Sequence, residues 1–407
     1  MKIALYSHDT MGLGHIRRNL LIAQSLAESH LQANILIIAG IHEAGAFKIP
    51  KGVDCITLPA YSKDLDGRYS PRSLSVKTNT LISLRSRVIG AALASFEPDL
   101  FVVDNVPNGA VRELTPIMAS LKFSDKIRTV LGYRDILDDP ATIRNQWQQE
   151  QTELVLKELY EAIWIYGDPV VYDPTIEYGF PAELKAKTRF TGYLDPMRRL
   201  APGEDDPLLV ANGQIPLDCL HHNFTLCVVG GGQDGMALAN KTFAQSQLPA
   251  GECGIIVTGP FLPDKKKEQL LAVTEKNPRL HVLEFLPEPM RLMRYAKRVI
   301  AMGGYNTVAE ILSLGKRALV VPRNRPRLEQ TVRAERLKAL GLIDSVGLED
   351  LTSGFISQWL HDDTPLSPAR DVIDFNGLKR IPAIISDMFQ SEASAAECAC
   401  GLFKACP

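Results

Sequence analysis

Short runs of branched apolar residues alternate along the chain with longer stretches in which apolar residues recur every third or fourth position. The first pattern is that of strands buried on both faces, and the second that of amphipathic helices covering a parallel sheet. In the first half, Lys2–Ser7, Asn34–Ala39, Leu100–Asp104, Thr129–Gly132 and Ala162–Tyr166 predict strands. A helix is predicted over His15–Ser29, where Ile16, Leu20, Ala23 and Ala27 fall on one stripe. From Tyr193 to Pro207 the periodicity stops and the sequence turns polar and proline-rich, which places a linker over 196–207. A second series follows, with strands predicted at Phe224–Val229, Cys253–Thr258, Leu280–Phe285, Arg298–Ala301 and Ala318–Val321. The chain therefore divides into an α/β domain over 1–195, a second over 208–376, a terminal helix over 377–389 that is a candidate to pack back on the first domain, and a frayed tail over 390–407.

A length of 407 residues agrees with two such domains, given the usual ~100–200 residues in each. A formal charge of −2 removes any global electrostatic case for nucleic acid, so an anion site must come from local geometry. No uncharged apolar stretch reaches the ~18 residues of a membrane span, and the opening strand lacks a signal core. A cytoplasmic location is expected, with peripheral membrane contact left open. Cys55, Cys219, Cys227 and Cys253 are scattered and read as reduced thiols, while Cys398, Cys400 and Cys406 sit in the tail without an assignment.

Three glycine turns follow predicted strands and precede helices. The first, His8-Asp9-Thr10-Met11-Gly12-Leu13-Gly14-His15, permits close backbone approach at Gly12 and Gly14 and offers helix amides to an anion. A dinucleotide fold would want an acid at the end of the next strand, but that strand ends Ile37-Ile38-Ala39-Gly40-Ile41-His42. His15 reads either as a general base or as a capping and packing histidine. Asp104 reads either as the carboxylate that orients His15 or as a cap for the turn at Asn105 and Pro107. The second turn, Gly230-Gly231-Gly232-Gln233-Asp234-Gly235, can wrap a diphosphate with amides. The third, Met302-Gly303-Gly304-Tyr305-Asn306-Thr307, opens a helix whose Glu310 can accept ribose hydroxyls or merely sit exposed near the helix start. Beyond it, Arg323, Arg325 and Arg327 form an anion-seeking loop or a solvated basic face. Glu329 and Gln330 follow and can bond sugar hydroxyls.

Together these segments resemble the GT-B glycosyltransferases, especially the group containing the peptidoglycan enzyme that adds N-acetylglucosamine to lipid I. The resemblance is strongest over Leu283–Leu342, in Glu-Phe-Leu-Pro, Gly-Gly-Tyr-Asn-Thr-Val-Ala-Glu and Pro-Arg-Asn-Arg-Pro-Arg-Leu-Glu-Gln, and includes Met-Gly-Leu-Gly-His at the front. It implies two Rossmann-like parallel-sheet domains facing each other across a cleft. Gly232, Gln233, Gly303 and Gly304 would lie along a donor diphosphate, with Glu310 on the ribose, Glu329 and Gln330 on the transferred sugar, and Gly231, Asn306 and Thr307 as further donor-binding residues. His15 and Asp104 match a base and its orienting acid. Gly12, Gly14, Arg134, Arg323 and Arg325 are candidate phosphate or acceptor contacts. Met302 stands where related enzymes place a histidine on the pyrophosphate. Segment Leu131–Leu137 and the arginine insert look closer to an uncharacterised bacterial branch.

The activity so implied is a metal-independent hexosyl transfer from a nucleotide sugar, UDP-linked, to an acceptor hydroxyl with inversion. The nucleotide sugar is a substrate, and no cofactor is expected. A nucleotide-sugar 2-epimerase and a non-catalytic binding subunit are the alternatives.

Overall fold

The computed structural model describes residues 1–402 apart from 10–11, 64–67, 124–125, 201–214, 222, 231–237, 239–242, 260–261 and 287, with backbone alone at 46, 217, 221 and 391–402. The first sheet is built from β1 (Lys2–Ser7), β2 (Asn34–Ala39), β3 (Val53–Thr57), β6 (Leu100–Asp104), β7 (Arg128–Arg134), β8 (Ala162–Tyr166) and β9 (Thr188–Phe190). Between β3 and β6 the antiparallel hairpin β4 (Tyr61–Lys63) and β5 (Tyr69–Pro71) projects from it. The second sheet holds β10 (Phe224–Val228), β11 (Cys253–Val257), β12 (Leu280–Leu283), β13 (Arg298–Ala301), β14 (Arg317–Val320) and β15 (Asp344–Ser345). Both sheets are parallel, in the orders β3-β2-β1-β6-β7-β8-β9 and β12-β11-β10-β13-β14-β15.

All ten apolar runs form strands, because each is buried on both faces. Leu226 and Val228 belong to the core on one side of the second sheet, and Cys227 and Val229 to the core on the other. The strands that periodicity missed are edge or outlying ones: β3 holds only half-buried and exposed residues, and β9 and β15 span only three and two residues. No continuous apolar run marks such a strand.

Three helices matter most for function: α1 (Gly14–Glu28), α2 (Tyr305–Ser313) and α3 (Glu329–Ala339). A fourth, α4 (Gly377–Leu402), returns to the first domain, where Ser25 Oγ donates to the Leu378 carbonyl at 2.7 Å. It runs past 389 through the segment expected to fray. That segment is rich in alanine, the best helix former, from Ala393 to Ala399. Among the described residues no helix is long and apolar enough to cross a membrane.

One apolar core runs across the domain junction, taking in Tyr305, Val308, Leu312, Ala334 and Leu337 from the second domain together with the first sheet. Polar contacts reinforce it. The Arg333 guanidinium grips Asp135 through Nε–Oδ2 at 2.9 Å and Nη2–Oδ1 at 2.6 Å, and Tyr193 donates to the same carboxylate at 2.9 Å. Such a buried fork fixes orientation, since both partners need the other to offset their desolvation.

Candidate active site

In each sheet the chain reverses its winding direction once, between β1 and β6 and between β10 and β13. The loops leaving the carboxyl ends of those strands part there and leave a crevice, which is where open parallel sheets bind ligands. The first and third glycine turns of the sequence fall at these two points, and Gly230, which opens the second, follows β10.

At the first, Asp9 shapes the loop after β1 by accepting the Ile16 amide at 2.9 Å, which delivers His15 to the start of α1. His15 Nδ1 lies 2.5 Å from Asp104 Oδ2 at the end of β6. Sequence reasoning paired these two but missed Arg18, whose Nη2 donates to the other Asp104 oxygen at 2.5 Å and approaches His15 Nδ1 at 2.9 Å. The signal was available, because residues three apart on a helix share a face. Burial opposes charge on Asp104, but Arg18 and then His15 reverse this and hold the carboxyl well below the usual carboxylate range. His8 lies edge-on to His15 with ring centroids 5.6 Å apart, its Nδ1 enclosed without a partner. Burial, then the neighbouring His15, pulls its imidazole down to about 3, so it is neutral at neutral pH. Gly12 adopts φ +129°, open only to glycine without strain.

At the second switch point, Gly231, Gly232 and Gln233 lie outside the described residues. The turn after β13 is described. A Cβ at Gly303 would come within 3.1 Å of Gln330, so this glycine serves the packing of α3, whereas at Gly304 a Cβ would meet nothing within 4 Å and the turn faces open space. Arg333 Nη1 donates to the Gly303 carbonyl at 2.8 Å. Asn306, a candidate donor-binding residue, donates to the Gly14 carbonyl at 2.9 Å, and Thr307 sits half-buried beside it. This bond ties the two glycine turns together across the junction.

Glu310 is buried one turn into α2, not exposed, and its carboxylate is paired with Arg199, which also meets Glu288 at 3.1 Å. Burial raises the Glu310 carboxyl while Arg199 works against it. Glu329 and Gln330 are buried at the start of α3. Arg323 contacts one Glu329 oxygen at 3.3 Å, the other has no partner, and Gln330 Oε1 accepts the Arg323 amide at 3.3 Å. Arg134 ends β7 half-buried with Nε enclosed and unpartnered; burial pulls its guanidinium down to about 10. Arg325 is exposed.

A recess of about 10 Å³ lies between Arg18, Arg199, Tyr305 and Asn306. A cavity of about 620 Å³ lies elsewhere, between Asp195, Arg370 and Phe375, and includes no residue expected at the site. One expectation fails. Cys219 and Cys253 form a disulfide with Cα atoms 5.6 Å apart, because the helix before β10 brings together two positions that spacing along the chain did not relate. His281 Nε2 lies 3.2 Å from Cys219 Sγ, so the three side chains also have the proximity of a metal-ligand group, where none was expected from sequence.

Residues 225–356 match the glycosyltransferase family 28 C-terminal domain. No curated protein sequence matches the chain. Among solved structures, MurG of Acinetobacter baumannii is 15% identical with a TM-score of 0.56, covering 95% of this chain and 99% of that one. The glycosyltransferase SnogD from Streptomyces nogalater is 15% identical with a TM-score of 0.55, covering 97% and 99%. The UDP-GlcNAc 2-epimerase from Neisseria meningitidis, bound to UDP-GlcNAc, is 13% identical with a TM-score of 0.59, covering 96% and 100%. At these identities the likeness is one of fold. The chain has the GT-B fold of the glycosyltransferases it resembles, and its second half matches the C-terminal domain of glycosyltransferase family 28.

Proposed function

We propose that the protein transfers a sugar from a nucleotide sugar, UDP-linked, to an acceptor hydroxyl at the junction of its two domains. The observation that carries this reading is the His15–Asp104 contact of 2.5 Å at one switch point, joined through Gly14 and Asn306 to the glycine turn of the other. With Nδ1 donated to Asp104, the Nε2 lone pair of His15 is free to take the acceptor proton. The acceptor oxygen then attacks the anomeric carbon, the bond to the nucleotide diphosphate breaks, and direct attack inverts that centre. Backbone amides around Gly304 and the start of α2 stabilise the departing diphosphate. Gly231, Gly232 and Gln233 are assigned to the same diphosphate from the sequence. Glu310 takes the ribose once Arg199 releases it, and Glu329 and Gln330 take the sugar. These steps require no metal.

Thermal shifts with UDP, GDP and dTDP test the donor site, since a ligand at 100 times its Kd adds about 2.7 kcal/mol of stability. A shift selective for UDP and lost in Glu310→Ala is expected; no shift with any nucleotide would overturn the reading.

A 2-epimerase is favoured by one observation, the unpartnered oxygen of the buried Glu329 carboxylate beside the sugar position. Incubation with UDP-GlcNAc and no acceptor separates the two, because only an epimerase then yields the C2-inverted sugar nucleotide. A separated His15 and Asp104 would favour a non-catalytic binding subunit, and these two are in contact; that reading is favoured instead if no nucleotide gives a shift.

A further inference from the structure

The amino ends of the second sheet carry a group of side chains that the reaction does not use. Three separate elements supply it. Cys219 lies in the short helix Leu217–His221 that precedes β10, Cys253 opens β11, and His281 is the second residue of β12. The parallel register pairs Ile255 with His281, and Cys253 shares the face of Ile255 because side chains alternate along a strand. Cys253 and His281 therefore project from one face of the sheet. Cys219 and Cys253 both belong to the core on that side.

The two sulfurs are joined in the disulfide, and His281 Nε2 lies 3.2 Å from Cys219 Sγ. All three donor atoms lie within 4.8 Å of one another, and among the described residues no other three His, Cys, Asp or Glu side chains converge this closely. Glu252, next to Cys253 in the chain, is not a rival ligand, because Lys297 and Arg298 hold its carboxylate at 2.8 and 2.9 Å. Joined to each other, the sulfurs have no thiolate to offer a cation. Once their bond is broken, two thiolates and an imidazole nitrogen are the donors that zinc prefers. Zinc–sulfur bonds of ~2.3 Å and a zinc–nitrogen bond of ~2.0 Å set tetrahedral donor separations of about 3.5–3.8 Å. His281 already stands close to that separation from Cys219, and Cα atoms 5.6 Å apart let the two sulfurs part to it. His281 is half-buried, which leaves the fourth position of the tetrahedron to water.

We propose that Cys219, Cys253 and His281 form a zinc site in the reduced protein, which the disulfide replaces in the oxidised one. A dithiol reductant supplies two electrons and two protons: the S–S bond breaks, both cysteines become thiols, and the dithiol becomes a disulfide. Zinc then displaces the two thiol protons to solvent, and neutral His281 gives the Nε2 lone pair. In either state the cross-link ties the helix that enters the second domain to β11, at the end of the sheet opposite the glycine turns. The proposal stands apart from the transferase reading.

The test uses the full chain carrying Cys398→Ser, Cys400→Ser and Cys406→Ser, so that the tail contributes no thiolate. The protein is reduced with a dithiol, freed of it without oxygen, and titrated with Co²⁺ and then Zn²⁺. Thiolate-to-cobalt charge-transfer absorption that saturates at a single equivalent, is displaced by Zn²⁺ and is absent from the oxidised chain is expected. Cys253→Ser should abolish that absorption, and His281→Ala should weaken Co²⁺ binding at least tenfold. The second variant keeps both cysteines, so it tests the site even if the first does not fold. A reduced chain that binds no Co²⁺, or binds it equally in His281→Ala, would overturn the proposal, as would a disulfide that the dithiol leaves intact in the folded protein.

Discussion

The two switch points are built alike and finished differently. At the first, His15 and Arg18 together engage both Asp104 oxygens, each at 2.5 Å. At the second, the groups expected to hold the donor are engaged by partners that a ligand would displace: Glu310 by Arg199, Glu329 by Arg323, and Asn306 by the Gly14 carbonyl. A catalytic group must keep its orientation through the reaction, whereas a binding group must exchange partners each turnover. The first site therefore fixes its carboxylate between two partners, and the second is a set of temporary pairs.

The comparison breaks most decisively at Asp104. Asp104→Ala strands Arg18, which is only 4% exposed, and breaking a buried pair on one side costs about 3–5 kcal/mol. Urea unfolding should show a loss of that size; an unchanged midpoint would mean that water replaces the carboxylate between its two partners.

Next in size, His15→Ala should slow turnover by ~100-fold, about 2.7 kcal/mol in the barrier, while leaving UDP binding intact. An equal loss of UDP affinity would make His15 part of the donor site and erase the division of labour between the two points.

Acid sharpens the contrast through His8. Its folded value near 3 lies below the ordinary 6.5, so between those limits the unfolded chain binds a proton that the folded chain resists, and stability falls as pH drops below 6.5. From pH 7 to pH 5 this group should cost about 2 kcal/mol, and His8→Gln should flatten that limb of the urea midpoint profile. The depressed Asp104 carboxyl carries the same sign, but its contribution is lost only below the ordinary carboxylate range.

The smallest effect is expected at Arg199. If it only shields Glu310, Arg199→Ala should tighten UDP severalfold, about 1 kcal/mol. Weaker UDP binding would show that Arg199 itself touches the nucleotide.

Much of this was readable in the chain. The strands β1, β6, β10 and β13 that flank the switch points are continuous apolar runs, and glycine follows both β1 and β13 within a few residues. His15 and Asp104 were legible because each sits at the carboxyl end of a recognisable strand or in the turn that follows it. Arg199 and the Arg333–Asp135 fork were not, because a buried arginine looks like any surface arginine until its partner is known. The same holds for Cys219 and Cys253, 34 positions apart in sequence and 5.6 Å apart at their Cα atoms.

The sequence by itself determined the local elements, the two parallel sheets and the turns at their switch points, since these follow from hydrophobic period and glycine's freedom at positive φ. Only the tertiary structure decided which charges meet. It set Arg18 on Asp104 and closed Glu310 under Arg199. Electrostatic partnership depends on distance in space and on burial, and neither is encoded in the spacing of residues along the chain.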